Sequence, residues 1–209
     1  MFPCSVPDLA DGIYGTMQGI RRSGEHNDPT DTYPKGTNEM IGLNCGSGQR
    51  PFDKAQGWVN IDINPRWNPD VLGHWNNLTP FEDNSVDLVV SHHSLEHVGC
   101  GEGNGFVAEA RRVLKFGGSL LVFVPDMKKL AEMWFRGELT EQLYMTNVYG
   151  AYMGDEADRH RWGYSPLGLM DYLRNTGNWD TVKLFDWRTI PGADIARDDR
   201  WILGMEAVK

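Results

Sequence analysis

Between Glu39 and about Asp126, short apolar runs alternate with stretches of helical spacing, a pattern that predicts parallel strands joined by crossover helices. Met40–Asn44 reads as a short strand, Val59–Ile63 as a second and Asp70–Gly73 as a third. The strongly apolar run VDLVVS over Val86–Ser91 is the fourth. Phe106, Ala110, Val113 and Leu114 share one face of a helix over Phe106–Leu114, which the Gly pair in Lys115–Gly118 ends. Ser119–Val124 (SLLVFV) follows as a buried strand. Met127–Met153 then shows helical spacing, with Trp134, Leu139, Leu143 and Tyr144 as apolar anchors, and interrupts the alternation. Ser165–Gly177 predicts a helix with Ser165 as its cap, Pro166 in its first position and Gly177 past its end. Thr181–Trp187 and Arg200–Val208 are two aromatic-rich closing strands.

The first 38 residues behave differently. RRSGEHNDPTDTYPK over Arg21–Lys35 mixes charge, Pro and Gly without a sustained period, so 1–38 reads as an N-terminal arm with a short helix around Pro7–Arg21. The compact domain is expected over 39–209, with 127–163 as a helical insertion. A chain of 209 residues has room for one α/β domain plus an extension.

Composition narrows the function classes. No stretch is long and apolar enough to span a bilayer, and MFPCSVPDLADG carries acidic residues where a secretory signal would carry positive charge. Cys4, Cys45 and Cys100 are odd in number and lack C-x-x-C spacing, so free thiols in a reducing, cytoplasmic setting are expected. A formal net charge of -9 repels phosphate polymers and disfavours a nucleic-acid partner. A small-molecule partner fits better; oligomeric state is not specified by any of these features.

The candidate chemistry starts in IGLNCGSGQRPFDKAQGWVNIDINP over Ile41–Pro65, where a strand enters a loop with Gly42, Gly46 and Gly48, and Asp62 ends the next strand. Glycines at such a turn let a ligand approach the backbone, and a carboxylate about 20 residues on accepts hydrogen bonds from ribose hydroxyls. The spacing is G-x-x-x-G-x-G, not the dinucleotide G-x-G-x-x-G, which argues against a nicotinamide-dependent oxidoreductase.

GLNCGSG resembles the glycine-rich first motif of class I S-adenosylmethionine-dependent methyltransferases, and GWVNIDINP their acidic motif. PFEDNSVDLVVSHHSLEHV and EARRVLKFGGSLLVFVPD are similar to the fourth-strand segment and the following helix, turn and strand of those with the type 11 methyltransferase domain. The resemblance runs over Met40–Asp126 and more loosely through DRHRWGYSPLGLMDYLRNTG. It implies a Rossmann-like α/β fold: a seven-stranded, mostly parallel sheet with helices on both faces and one antiparallel C-terminal strand. It also implies S-adenosylmethionine as cofactor. Asn44, Cys45, Gly46, Ser47 and Gly48 would pass its methionine part, Asp62 would hold the ribose, and Ile63, His74, Trp75, Ser91 and His92 would complete the pocket. His74–Trp75 departs from the family, which often has an acidic residue there.

SHHSLEH over Ser91–His97 contains H-x-x-E-H, the inverted zinc-protease string. That motif needs a long helix, and the GCGEGNG that follows leaves no room for one. A magnesium site built from His93, Glu96, His97 and His160 is also disfavoured, because oxygen-rich sites suit that ion better than clustered imidazole; no metal is expected. By family position the loop lies at the carboxyl edge of the sheet. His97, then His160, then His93 are therefore candidates to take a proton from a hydroxyl or amine acceptor. Trp134, Tyr144, Tyr149, Tyr152 and Trp162 are expected in the core more than in a pocket. The competing function is a partner subunit that binds the cofactor without catalysis.

Overall fold

The computed structural model describes residues 40–99, 101–152, 154–190 and 200–209. The N-terminal arm, the helix expected over Pro7–Arg21, Cys4 and Cys100 lie outside the described residues. Seven strands, β1 (Gly42–Cys45), β2 (Trp58–Asp62), β3 (Val71–Leu72), β4 (Val86–His92), β5 (Leu114–Pro125), β6 (Thr181–Leu184) and β7 (Ile202–Val208), form one sheet. Its order is β3-β2-β1-β4-β5-β7-β6. Pairing is parallel from β3 to β5, and β7 runs antiparallel to both neighbours, as the sequence reading expected.

Alternation along the strands sorts the core. Trp58, Val90, Leu121 and Phe123 point to one side of the sheet, where Phe52 and Ile190 close over them. Each fully buried side chain of this size contributes about 1.5–3 kcal/mol. Helix α1 (Asn104–Val113) packs beside α4 (Pro166–Gly177); α1 lies against β5 and α4 against β6 and β7.

Three elements differ from expectation, each for a local reason. Leu114 pairs with Val86 but the next pair is Ser119 with Leu88, so the Lys115–Gly118 turn loops out inside β5. Lys115 Nζ anchors it on Asp87 Oδ1 at 2.7 Å. The helical run after Asp126 divides into α2 (Met127–Phe135) and α3 (Glu141–Tyr149). Asp126 caps the first through Lys128 and Lys129 N–H, and Thr140 Oγ1 caps the second by accepting from Leu143 N–H at 3.2 Å. β6 stops at Leu184 because Asp186 seeds a 3-10 turn, its carboxylate accepting from Arg188 N–H at 3.1 Å.

The expected core role of the insertion's aromatics is overturned. Leu130, Met133 and Leu139 form the buried seam of α2 and α3, with Met127, Tyr144 and Trp201 against it. Trp134, Tyr149, Tyr152 and Trp162 are exposed, and Trp134 only stacks on half-buried Tyr144. These helices are too short and too thinly packed to enclose them. Among the described residues, no helix is long and apolar enough to cross a membrane.

Candidate active site

The chain runs outward from β1 to β2 and β3, then returns to β4 on the other side of β1. Such a reversal opens a crevice at the carboxyl ends of the two central strands. The Gly46–Gly48 loop leaves β1 there, Asp62 ends β2, and His92 ends β4.

The glycine loop is held from three sides. Gly46 and Ser47 N–H both donate to the Ile61 carbonyl, at 2.9 and 3.0 Å. Asp62, 7% exposed, accepts from Gly48 N–H at 2.7 Å and from Asn64 N–H at 2.8 Å, one bond to each oxygen. Gly46 and Gly48 both have positive φ, but a Cβ on Gly46 would sit 2.5 Å from Ser94 Cβ, whereas one on Gly48 would point into open space. Ser94 Oγ ties the two central strand ends together, donating to the Cys45 carbonyl at 3.0 Å and sharing a 2.7 Å bond with Ser91 Oγ.

Several expected cofactor residues act within the protein. Asn44 Nδ2 donates to Asn60 Oδ1 at 2.9 Å and to the Arg50 carbonyl, and Asn60 in turn exchanges bonds with Phe52 backbone. This network fixes the loop without presenting the Asn44 side chain to a ligand. Cys45 is fully buried, and burial pushes its thiol up. Ser47 and Ser91 are also buried, Trp75 packs edge-on against Phe106, and Ile63 is exposed beside Asp62. His74 stacks on Trp75 and its Nδ1 accepts from Asn76 N–H at 3.2 Å, so the ring proton lies on Nε2; burial lowers its pKa.

The loop after β4 gathers the histidines. His92 is half-buried against Phe123; His93 follows with φ of 50°, a sparsely populated conformation for such a residue. His93 N–H donates to the Phe123 carbonyl at 2.8 Å, and its Nδ1 lies 2.9 Å from Glu96 Oε1. Glu96 and His97 lie in a 3-10 turn, Leu95–His97. Burial would raise the Glu96 carboxyl, but the hydrogen bond from His93 and the fields of His93, His97 and His160 outweigh it and hold the group below the ordinary carboxylate range.

A distant segment completes the cluster. Arg161 and Trp162 N–H both donate to the Glu96 carbonyl, at 2.8 and 3.1 Å, seating His160 over the turn. His160 Nδ1 meets the Asn147 carbonyl at 2.8 Å and its Nε2 stands 4.0 Å from Glu96 Oε1. Burial lowers the pKa of His160, with Glu96 opposing. His97 Nδ1 meets the Arg159 carbonyl at 3.2 Å, and the two rings pack edge to face. The three candidate histidines thus surround one buried carboxylate. Sequence reasoning had placed Glu96 among them without identifying it as their hub, and Asn60 carried no signal in the sequence.

Residues 45–122 match the family model described as the methyltransferase domain. No curated protein matches the chain in sequence. Among solved structures, a SAM-dependent methyltransferase from Thermotoga maritima is similar at 18% identity, covering 83% of this chain and 84% of that one with a TM-score of 0.52. One from Archaeoglobus fulgidus is 15% identical over 82% of this chain and 87% of that one, with a TM-score of 0.52. One from Methanosarcina mazei is 18% identical over 82% and 92%, with a TM-score of 0.50. Likeness at this identity establishes the fold.

Proposed function

We propose that this chain, a class I S-adenosylmethionine-dependent methyltransferase by the domain it carries over residues 45–122, methylates an oxygen or nitrogen of a small polar molecule. The buried Glu96 carboxylate bonded to His93 at the mouth of the crevice carries this reading.

The residues present fit the cofactor. Gly48 leaves open space where a side chain would stand, and each Asp62 oxygen, having accepted one backbone N–H, keeps a lone pair for a ribose hydroxyl. When bound, S-adenosylmethionine supplies a methyl group on a sulfonium, which an acceptor lone pair takes in line as the carbon–sulfur bond breaks and its electrons stay on sulfur.

The chain's own part is to place the acceptor and receive its proton. A carboxylate only accepts, so the proton of the His93 ring sits on Nδ1 toward Glu96 and the lone pair on Nε2. That nitrogen takes the proton the acceptor gives up. His97 and His160 have their Nδ1 atoms on backbone carbonyls and stand beside the same Glu96. A formal charge of -9 favours a small acceptor over a phosphate polymer.

The test is release of S-adenosylhomocysteine when the purified chain and S-adenosylmethionine meet a panel of phenols, amines, hydroxy acids and sugars. Turnover with any class supports the reading and names the acceptor group. Binding of S-adenosylhomocysteine with no turnover across the panel supports a non-catalytic partner subunit instead.

A further inference from the structure

We infer that Glu96, His97 and His160 form a binding site for a divalent transition-metal ion at the mouth of the crevice. Each offers a ligand atom, and these atoms lie within 4.8 Å of one another. The cluster brings together β4's loop and the segment after α3, through the bonds from Arg161 and Trp162 N–H to the Glu96 carbonyl.

Hydrogen-bond accounting leaves a place for a positive group among them. A backbone carbonyl only accepts, so the contacts to Asn147 and Arg159 place the protons of His160 and His97 on Nδ1. The lone pair of each neutral ring is then on Nε2. His160 Nε2 faces Glu96 Oε1 at 4.0 Å: two acceptors, with a gap too long for a hydrogen bond even from a protonated ring. Glu96 is 1% exposed, and its other oxygen, Oε2, has no hydrogen-bond partner in the structure. A buried carboxylate left half-satisfied against imidazole lone pairs is costly; a divalent cation satisfies all three groups.

The donor set selects the ion. Two imidazoles and one carboxylate suit zinc or a neighbouring first-row metal, whereas magnesium prefers oxygen ligands. Tetrahedral bonds of about 2.0–2.2 Å put two ligand atoms of one ion roughly 3.4 Å apart, so the three atoms, now within 4.8 Å of one another, close in by about 1 Å or a little more when the ion binds. The outer contacts are those a metal site needs: both histidines donate Nδ1–H to carbonyls, and His93 hydrogen-bonds the ligating carboxylate. The expectation of no metal weighed a helical zinc-protease motif and a magnesium site; the inferred site is neither, since His160 comes from a distant segment and the donors are two imidazoles and a carboxylate. Three protein ligands leave coordination positions open. Resting on the methyl-transfer reading, this further assigns an oxygen-donor acceptor, whose hydroxyl would bind the ion and lose its proton more readily. Metal binding itself does not depend on that reading.

The experiment uses the full chain without a histidine tag, stripped with chelator and titrated with Co²⁺ while visible absorption is followed. One equivalent should produce the d–d bands of a low-coordinate ion, and Zn²⁺ should abolish them. His160→Ala and His97→Ala should each weaken Co²⁺ binding by at least about 100-fold, with folding checked by circular dichroism and S-adenosylhomocysteine calorimetry. Absence of the bands in the stripped wild type overturns the proposal, as does wild-type affinity in either folded variant. Should one variant fail to fold, the other decides. Loss of S-adenosylhomocysteine binding or of turnover with intact Co²⁺ bands would count against the proposed function and leave the metal site standing.

Discussion

His93 Nδ1 stands 2.9 Å from Glu96 Oε1, a carboxylate that is 1% exposed. In the proposed mechanism the pair orients the imidazole as a carboxylate orients the base of a hydrolytic triad, leaving Nε2 to accept a proton. His93→Gln removes that base. It should lower kcat by about 10²–10⁴-fold on an acceptor found in the panel, with S-adenosylhomocysteine affinity changed less than about threefold. Steady-state kinetics with parallel calorimetry reads both quantities, and unchanged kcat would assign the proton to another group.

The two loop glycines should fail in different ways. Gly46→Ala drives a Cβ to 2.5 Å from Ser94 Cβ, so it should lower the melting temperature and loosen the loop whether or not a ligand is present. Gly48→Ala meets nothing in the protein and bears only the strain of a left-handed residue, about 1–2 kcal/mol. Its methyl points into the space proposed for the cofactor, so S-adenosylhomocysteine binding should weaken by more than about tenfold, beyond any change in melting. Equal affinity in Gly48→Ala and wild type would remove the cofactor from that side of the loop.

Asp62 braces the loop with the carboxylate that is proposed to hold the ribose. Asp62→Ala deletes the bonds to Gly48 and Asn64 N–H along with the proposed ribose contact. It should weaken S-adenosylhomocysteine binding by at least about tenfold and adenosine binding in proportion. Titration calorimetry with both ligands separates the effects: a loss for S-adenosylhomocysteine with adenosine unaffected would make Asp62 a loop brace only.

The strand–loop–strand unit proposed to hold the cofactor was legible as structure because its signals are local. Gly46, Gly48 and Asp62 sit in one strand–loop–strand unit, and the apolar runs around them match the sheet's central strands. The other side depends on long-range contact. His97 and Arg159, whose carbonyl holds its ring, are 62 residues apart, and no periodicity in the sequence brings His160 onto Glu96. Asn60 read as an ordinary strand residue although its amide anchors both Asn44 and Phe52. The insertion misled for the opposite reason: aromatics at helical spacing predict burial only when a partner surface covers them, and α2 and α3 bury chiefly Leu130, Met133 and Leu139.

Arg112 offers a stability test away from the site. Its guanidinium donates to the Leu78 and Phe81 carbonyls at 2.9 and 3.0 Å and pairs with Asp83 and Glu109, while Glu109 also accepts from Leu78 N–H. Helix α1 is thereby stitched to the turn that leads into β4. Arg112→Ala should cost about 1–3 kcal/mol in urea unfolding at pH 7, mainly by stranding the partly buried carbonyls. The same bonds hold the Glu109 pKa below its ordinary value. A carboxyl with a folded pKa below the unfolded one contributes its stability fully above the unfolded value, about 4.3, and loses it as pH falls through the folded value. Unfolding measured from pH 7 to 3 should therefore show the wild-type advantage over Arg112→Ala constant down to about pH 5 and shrinking below it. A difference that stays constant across the whole range would separate the carbonyl contacts, which do not titrate, from the ion pair and leave the stitching to them alone.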